Sequence, residues 1–251
     1  MTHAPEPDGG AFDRAEIVAT YLADDDLTAC ERALLNRWVA PGSSVLDLGV
    51  GAGRTTGWLA RRADRYVGID LSPAMVAAAR ARHPEADLRV GDAADLADLE
   101  RGSVDAVVFS YNGIDYLPDL DHARCLAECR RVLRPGGVLI LSQHAPRALL
   151  AAPPAGSSGL GALARALYGS ARRTARLIRT SAFWSGSGWV LDPAQGGLLT
   201  HHATRRHAVA DLGRHGFEVI DVQNGDLPRA PLGLRTPWWY YVARPSTTSR
   251  R

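Results

Sequence analysis

The chain opens with apolar residues at helical spacing. Ile17, Tyr21 and Leu22, then Leu34, Leu35 and Trp38, recur on a helical period across residues 15–39. That predicts a helical cap, ended by Pro41-Gly42. The pattern then changes to short apolar runs. "SVLDLG", "RYVGID", "ADLRVGD", "VDAVVFS" and "VLILSQH" read as five strands. Between them, "TTGWLARRA", the segment opened by Ser72-Pro73, and "DHARCLAECRRVL" read as helices. Ser72 suits an N-cap and Pro73 a first helical turn. Pro135-Gly136-Gly137 is expected to stop the last of these helices.

After Arg147 the alternation breaks. A linker-like stretch leads into "LGALARALYGSARRTARLIRT", an amphipathic pattern. Leu160, Leu163, Leu167, Ala171 and Ile178 oppose Arg165, Arg172, Arg176 and Arg179. "SAFWSGSGWVLDPAQGG" reads as irregular and aromatic. Regular patterning returns as a helix in "RRHAVADLGRHG" and strands in "FEVIDV" and "WWYYVAR". The domains expected are a tail and helical cap at 1–40, a core at 41–147, an insertion or lid at 148–197, the rest of the core sheet at 198–245, and a disordered tail at 246–251. Strands alternating with helices imply a parallel sheet covered on both faces. Ligands of such sheets bind outside the carboxyl ends of the strands.

Composition adds bounds. The 251 residues are 46% hydrophobic and 22% charged, as in an ordinary globular protein. No apolar run has the roughly 18–20 residues of a membrane span, and the start lacks a secretory pattern. Three cysteines give no disulfide framework and fit a cytoplasmic setting. Cys125 and Cys129 share a helix face and read as small buried residues, with no metal site expected. Residues 1–128 hold 22 acids and 12 arginines, whereas residues 129–251 hold 5 and 17. The arginine-bearing insertion reads as a solvated face, a lid over an anionic substrate, or a contact to a membrane surface or an acidic partner.

The most informative stretch is "VLDLGVGAGRTT", from Val45 to Thr56. A strand, a glycine loop and a helix amino end form a nucleotide site. Dinucleotide enzymes use G-x-G-x-x-G. Here Gly49, Gly51 and Gly53 give G-x-G-x-G, and Arg54 stands where the third dinucleotide glycine would fall. Asp47 before the loop would repel a pyrophosphate and suit a cationic ligand.

With "YVGIDLSPAM", "VGDAADL", "VDAVVFSYNGIDYL" and "RVLRPGGVLILS" following in order, the chain resembles the class I S-adenosylmethionine-dependent methyltransferases over about residues 15–147 and again 198–245. The resemblance implies a Rossmann-like, doubly wound α/β fold, with a seven-stranded, mostly parallel sheet and a helical insertion after strand five. It implies S-adenosylmethionine as cofactor and S-adenosylhomocysteine as product. The glycine loop would contact the methionine part, Asp70 the ribose hydroxyls, and Asp92 the adenine amino group, with the Ala93 amide nearby. Leu71 and Met75 would pack on the adenine, and Tyr21 would cover the methionine end; for Met75 and Tyr21 ordinary core packing is the alternative. Ser110 and Asn112 complete the expected cofactor set.

A base near the ends of strands four and five would come from Asp115, Tyr116 or His144. Histidine titrates near neutral pH, but His144 could equally be structural, and "GIDY" a supporting turn. His201 and His202 could face the pocket. Phe183, Trp184 and Trp189 suggest an aromatic or apolar substrate pocket, or core. The motif of DNA amino-group methylation is missing after strand four, as is the paired-glutamate loop of protein arginine methylation, and no RNA-binding module is visible. These features point to O- or N-methylation of a small molecule, anionic or aromatic, possible in secondary metabolism. The alternatives are a protein that binds the cofactor without methyl transfer, an RNA or protein methyltransferase, and a nicotinamide oxidoreductase, the last opposed by the glycine spacing.

Overall fold

The computed structural model describes residues 10–24, 26–146, 181–192, 198–225 and 238–246. Two helices, α1 (Ala15–Ala23) and α2 (Ala29–Trp38), precede the core. The core runs β1 (Ser44–Leu48), α3 (Thr56–Ala60), β2 (Arg65–Asp70), α4 (Pro73–Arg82), β3 (Leu88–Val90), β4 (Val104–Phe109), a 3-10 turn (Gly113–Tyr116), α5 (Asp119–Val132) and β5 (Leu133–His144). After it come α6 (Ser181–Ser185), β6 (Ser187–Asp192), β7 (Leu198–Ala203), α7 (Arg205–Arg214), β8 (Phe217–Asn224) and β9 (Trp238–Pro245).

Seven strands form one sheet in the order β3-β2-β1-β4-β5-β9-β8. The pairings among β1 to β5 are parallel. Strand β9 runs antiparallel to both β5 and β8. The chain builds outward through β2 and β3, then returns to lay β4 beside β1. The crevice between β1 and β4 is therefore the switch point where such sheets hold ligands.

Alternation along each strand divides the core. Leu46, Leu48, Val107, Leu139 and Leu141 pack with Cys125, Leu126 and Cys129 of α5. Val45, Ala106, Val108 and Ile140 face the other way, onto Leu34 and Leu35 of α2 and Val76 of α4. Each fully buried leucine contributes roughly 1.5–3 kcal/mol. The three cysteines are free and buried. Among the described residues, no group of three or more His, Cys, Asp or Glu could hold a metal ion, and no helix is long and apolar enough to cross a membrane.

Three features differ from the sequence expectation. The helical stretch 15–39 is two helices. Thr28 opens the second with a capping box: its hydroxyl accepts from Glu31 N at 3.2 Å, and Glu31 accepts from Thr28 N at 2.8 Å. This local pairing overrides the continuous apolar period. Pro135-Gly136-Gly137 does not stop α5, which ends at Val132. It lies within β5, where the register shifts between the Val104–Leu133 and Ala106–Val138 pairs. Gly136, at φ 83°, makes that irregularity possible. Finally, "GWVLD" is not irregular. It lies in β6, which pairs antiparallel with β7 as a separate two-stranded sheet. Residues 198–203 thus belong to a hairpin and not to the core sheet, because β7 finds its backbone partners locally in β6. The amphipathic stretch of the insertion, the chain's first nine residues and the tail beyond Ser246 lie outside the described residues; Ser246 N donates to Gly216 O at 2.8 Å.

Candidate functional site

Strand β1 delivers the chain into the glycine loop. Gly49, Gly51 and Gly53 have φ of 61°, 53° and 85°, a region that favours glycine. A Cβ on Gly49 would lie 2.7 Å from the Phe109 ring, and one on Gly51 would lie 3.2 Å from Tyr21. The loop thus runs tight between β4 and α1, with its backbone open to a ligand.

Asp47 does not face that ligand. It is 1% exposed, and one of its oxygens accepts from Thr55 Oγ1 at 2.6 Å and Tyr66 OH at 2.9 Å. Burial pushes its carboxyl up to about 7, against the two hydrogen bonds. The expectation of a cofactor contact is therefore corrected: strand alternation turns Asp47 into the protein, where it braces the loop from below. Gly53 is likewise displaced from the cleft and packs against His83 and Ala79.

Outside the carboxyl ends of β1, β2 and β4 lies a cleft. Gly49, Gly51, Tyr21, Asp70, Leu71, Met75, Asp92, Ala93 and Ser110 line it. The Asp70 carboxylate accepts from Gly51 N at 2.8 Å and Ser72 N at 2.9 Å. Burial raises its pKa, and these two hydrogen bonds oppose the rise. Ser72 caps α4, accepting from Met75 N at 3.1 Å, which sets Met75 against the cleft floor. Asp92 is exposed and accepts from Ala94 N at 2.8 Å.

The other side of the cleft is aromatic. Phe12, Tyr111 and Tyr116 line it together with Tyr21. Phe12 meets Tyr116 edge-on at 5.0 Å and Tyr21 at 6.1 Å, and Tyr21 meets Tyr111 at 6.1 Å. The Tyr21 and Tyr116 hydroxyls hydrogen-bond; burial, then nearby Asp70, pushes the Tyr21 phenol up to about 12. Tyr111 and Asn112 have φ of 55° and 63°. An aromatic residue at positive φ is a genuine outlier, and such strain clusters at functional sites. Several bonds hold it: Tyr111 OH donates to Asp24 at 2.7 Å, the Arg54 guanidinium lies 4.3 Å over its ring, and Asn112 N donates to Ser142 Oγ at 2.8 Å.

Arg54 is tied in turn to Glu31, at 2.5 and 2.6 Å, with side-chain exposures of 9% and 1%. Ser110 donates its hydroxyl to the same carboxylate. Ser110 therefore lines the cleft with its hydroxyl already committed. Burial opposes ionisation of Glu31, but Arg54 and these hydrogen bonds hold its pKa below the usual value. This pair locks α2 onto the glycine loop. Sequence alone could not find it, since its partners are 23 residues apart.

Of the three catalytic candidates, only Tyr116 reaches the cleft. Asp115 is 0% exposed and His144 4%. One Asp115 oxygen accepts from His144 N at 2.6 Å and His144 Nδ1 at 2.9 Å, while the other accepts from Gln143 Nε2 at 3.2 Å. With Nδ1 donating, His144 Nε2 accepts from Asn112 Nδ2 at 3.3 Å. Asn112, 5% exposed, is thus drawn to His144 and not to the cleft. The His144 ring stacks on His202 at 5.1 Å and stands edge-on to Tyr116 at 6.4 Å. The expectation of His144 and Asp115 as groups facing a substrate is corrected: the β6–β7 hairpin covers the β5 end and buries both. Of the other aromatic expectations, Trp184 is 74% exposed. Trp189 and His201 border a separate cavity beside α5 and α7. The Phe183 side chain lies outside the described residues.

Sequence reasoning missed Phe12, Leu117, Leu198 and Leu199, which also line the cleft. Their chemistry is ordinary, and only the fold gathers them.

A Rossmann-like sheet, a left-handed glycine loop and carboxylates at the ends of β2 and β3 define a nucleoside-cofactor domain. Comparison with known proteins narrows this. A family model described as a methyltransferase domain matches residues 45–137. A probable S-adenosylmethionine-dependent methyltransferase of Mycolicibacterium smegmatis is 44% identical over 101 residues, covering 40% of this chain and 38% of that protein. A ubiquinone biosynthesis O-methyltransferase of Xanthomonas campestris is 36% identical over 110 residues, covering 42% and 45%. The chain thus spans less than half the length of these relatives. In fold it is similar to an S-adenosylmethionine-dependent methyltransferase from Mesorhizobium loti, with a TM-score of 0.62 at 24% identity, covering 86% of this chain and 98% of that one. Residues 45–137 thus match a methyltransferase domain, set in a fold similar to that of S-adenosylmethionine-dependent methyltransferases.

Proposed function

We propose that the protein transfers a methyl group from S-adenosylmethionine to a small-molecule acceptor, releasing S-adenosylhomocysteine. The observation that carries this is the Asp70 carboxylate, set at the cleft by Gly51 and Ser72 and flanked by Asp92. The residues fit the cofactor. An ionised carboxylate takes two ribose hydroxyls with charge-assisted bonds. Asp92 and the Ala93 amide would hold the adenine edge, with Leu71 and Met75 on its face. The loop surface at Gly49 and Gly51, bare of side chains, would take the methionine part beneath Tyr21. Bound there, the cofactor would supply an electrophilic methyl on a sulfonium: the S–CH3 bond would break as the acceptor's lone pair takes the methyl, leaving the neutral thioether of S-adenosylhomocysteine, and the acceptor's proton would pass to solvent.

The chain's own contribution is orientation and exclusion of water. Phe12, Tyr21, Tyr111 and Tyr116 wall the cleft. Tyr116 is the candidate that touches the acceptor, while Asp115 and His144 position it from behind. Small-molecule methylation is supported by a similar fold: a Burkholderia thailandensis 1,6-didemethyltoxoflavin N1-methyltransferase bound to that compound and S-adenosylhomocysteine, with a TM-score of 0.61 at 18% identity, covering 98% of this chain and 93% of that one. A role in secondary metabolism and a cytoplasmic location belong to this same reading, the latter in keeping with the free cysteines. The test is calorimetric titration of wild type and Asp70→Ala with S-adenosylmethionine and S-adenosylhomocysteine. Binding of both that is lost in the variant is expected. Absence of binding to the wild type would overturn the proposal.

A further inference from the structure

Beyond the cofactor residues, the cleft extends past the β4 end. There the wall is Phe12, Tyr116, Leu117, Leu198 and Leu199. Phe12 comes from the turn before α1, Tyr116 and Leu117 from the exit of β4, and the two leucines from the start of β7. Three separate parts of the chain thus present rings and leucyl methyls to one space. Strand β7 belongs to the hairpin that sits outside the core sheet, so this wall is added to the nucleoside-binding core.

The charges on the cleft lining are of one sign. Among the described residues that line it, the ionisable acids are Asp70 and Asp92, and no Arg or His joins them. The nearby Arg54 guanidinium is held by both oxygens of Glu31, packs over the Tyr111 ring and is not among the residues that line the cleft. Asp70 is half-buried, and the lower local dielectric strengthens its repulsion of a second anion. The monocationic sulfonium of the cofactor offsets only one of the two carboxylates.

Resting on the proposed methyl transfer, we propose that the acceptor is an uncharged, predominantly apolar ring compound, held between the Phe12–Tyr116 pair and the Leu198–Leu199 start of the hairpin. Ring edges and leucyl groups favour a flat apolar face. A carboxylate or phosphate on the acceptor meets two carboxylates and, among the described lining residues, no cationic side chain beside the cofactor's sulfonium. The acceptor's nucleophilic hydroxyl or amine then points toward the glycine loop, and its charged or bulky polar groups are selected against.

The test uses the full chain saturated with S-adenosylhomocysteine, whose own binding is measured first. The probes are 2-naphthol and 2-naphthylamine, each against 6-hydroxy-2-naphthoate, titrated by calorimetry and by ligand-observed magnetic resonance. Binding of a neutral ring at least tenfold tighter than the naphthoate is expected. Leu199→Arg is expected to bring the naphthoate to within threefold of the neutral ring, with affinity for S-adenosylhomocysteine unchanged. If the wild type binds the naphthoate as tightly as the neutral rings, or binds no ring while still binding S-adenosylhomocysteine, the acceptor assignment is overturned and the cofactor reading stands. If S-adenosylhomocysteine itself does not bind, the cofactor reading fails and takes this assignment with it.

Discussion

Replacing Asp70 with Asn separates binding from folding. The two carboxylate oxygens accept from Gly51 N at 2.8 Å and Ser72 N at 2.9 Å, and the same group faces the cleft. A hydrogen bond to a charged group contributes about 1.5–3 kcal/mol. The amide keeps one acceptor oxygen and loses the charge, so the expected loss in cofactor binding is about 2–3 kcal/mol, or roughly 30- to 150-fold in Kd. Stability moves differently. Burial raises the Asp70 pKa in the folded chain. The native state therefore holds the proton more tightly than the unfolded state, and ionised Asp70 costs stability at neutral pH. The amide relieves that cost while giving up one accepted N–H, so the melting temperature is expected to stay within a few degrees of wild type. The assay is calorimetric titration with S-adenosylhomocysteine beside a thermal melt of each protein. A folded Asp70→Asn protein that binds within threefold of wild type would refute the assignment of Asp70 to the ribose.

The raised carboxyl of Asp47, near 7, gives a pH signature. Its stabilising contribution is complete below the ordinary aspartate pKa of about 4 and is lost as pH rises through about 7. Because Thr55 and Tyr66 both donate to one oxygen, Asp47→Asn keeps both bonds; it is expected to stabilise at pH 8 and to flatten the slope between pH 4 and 7 in urea titrations. Arg54→Met leaves Glu31 buried and unpaired, an expected loss of about 3–5 kcal/mol, whereas adding Glu31→Leu should recover most of it in the same denaturation assay. Gly49→Ala places a methyl 2.7 Å from Phe109 at φ 61°; a stability loss above about 1 kcal/mol is expected by urea titration. Asp115→Ala strips the His144 backbone N–H and ring of their acceptor; the expected result is a lowered melting temperature, with S-adenosylhomocysteine affinity unchanged in the folded fraction.

Much of this protein is written locally. The apolar runs of β1, β2, β4 and β5, the Ser72-Pro73 start of α4 and the G-x-G-x-G loop lie within short windows, because strand, cap and turn preferences act over a few residues. That was enough to place the sheet, the loop, Asp70 and Asp92. Which way a side chain turns was decided elsewhere. Asp47 sits beside the loop in sequence, yet strand alternation points it at Tyr66, 19 residues away. His144 ends β5, yet the hairpin buries it against Asp115 and His202. Leu198 and Leu199 carry no motif and become cleft wall only because β7 pairs with β6 outside the sheet. Backbone preference is a property of neighbours in the chain. Burial, ion pairing and the composition of a cavity depend on which distant elements pack together, and only the tertiary structure fixes that.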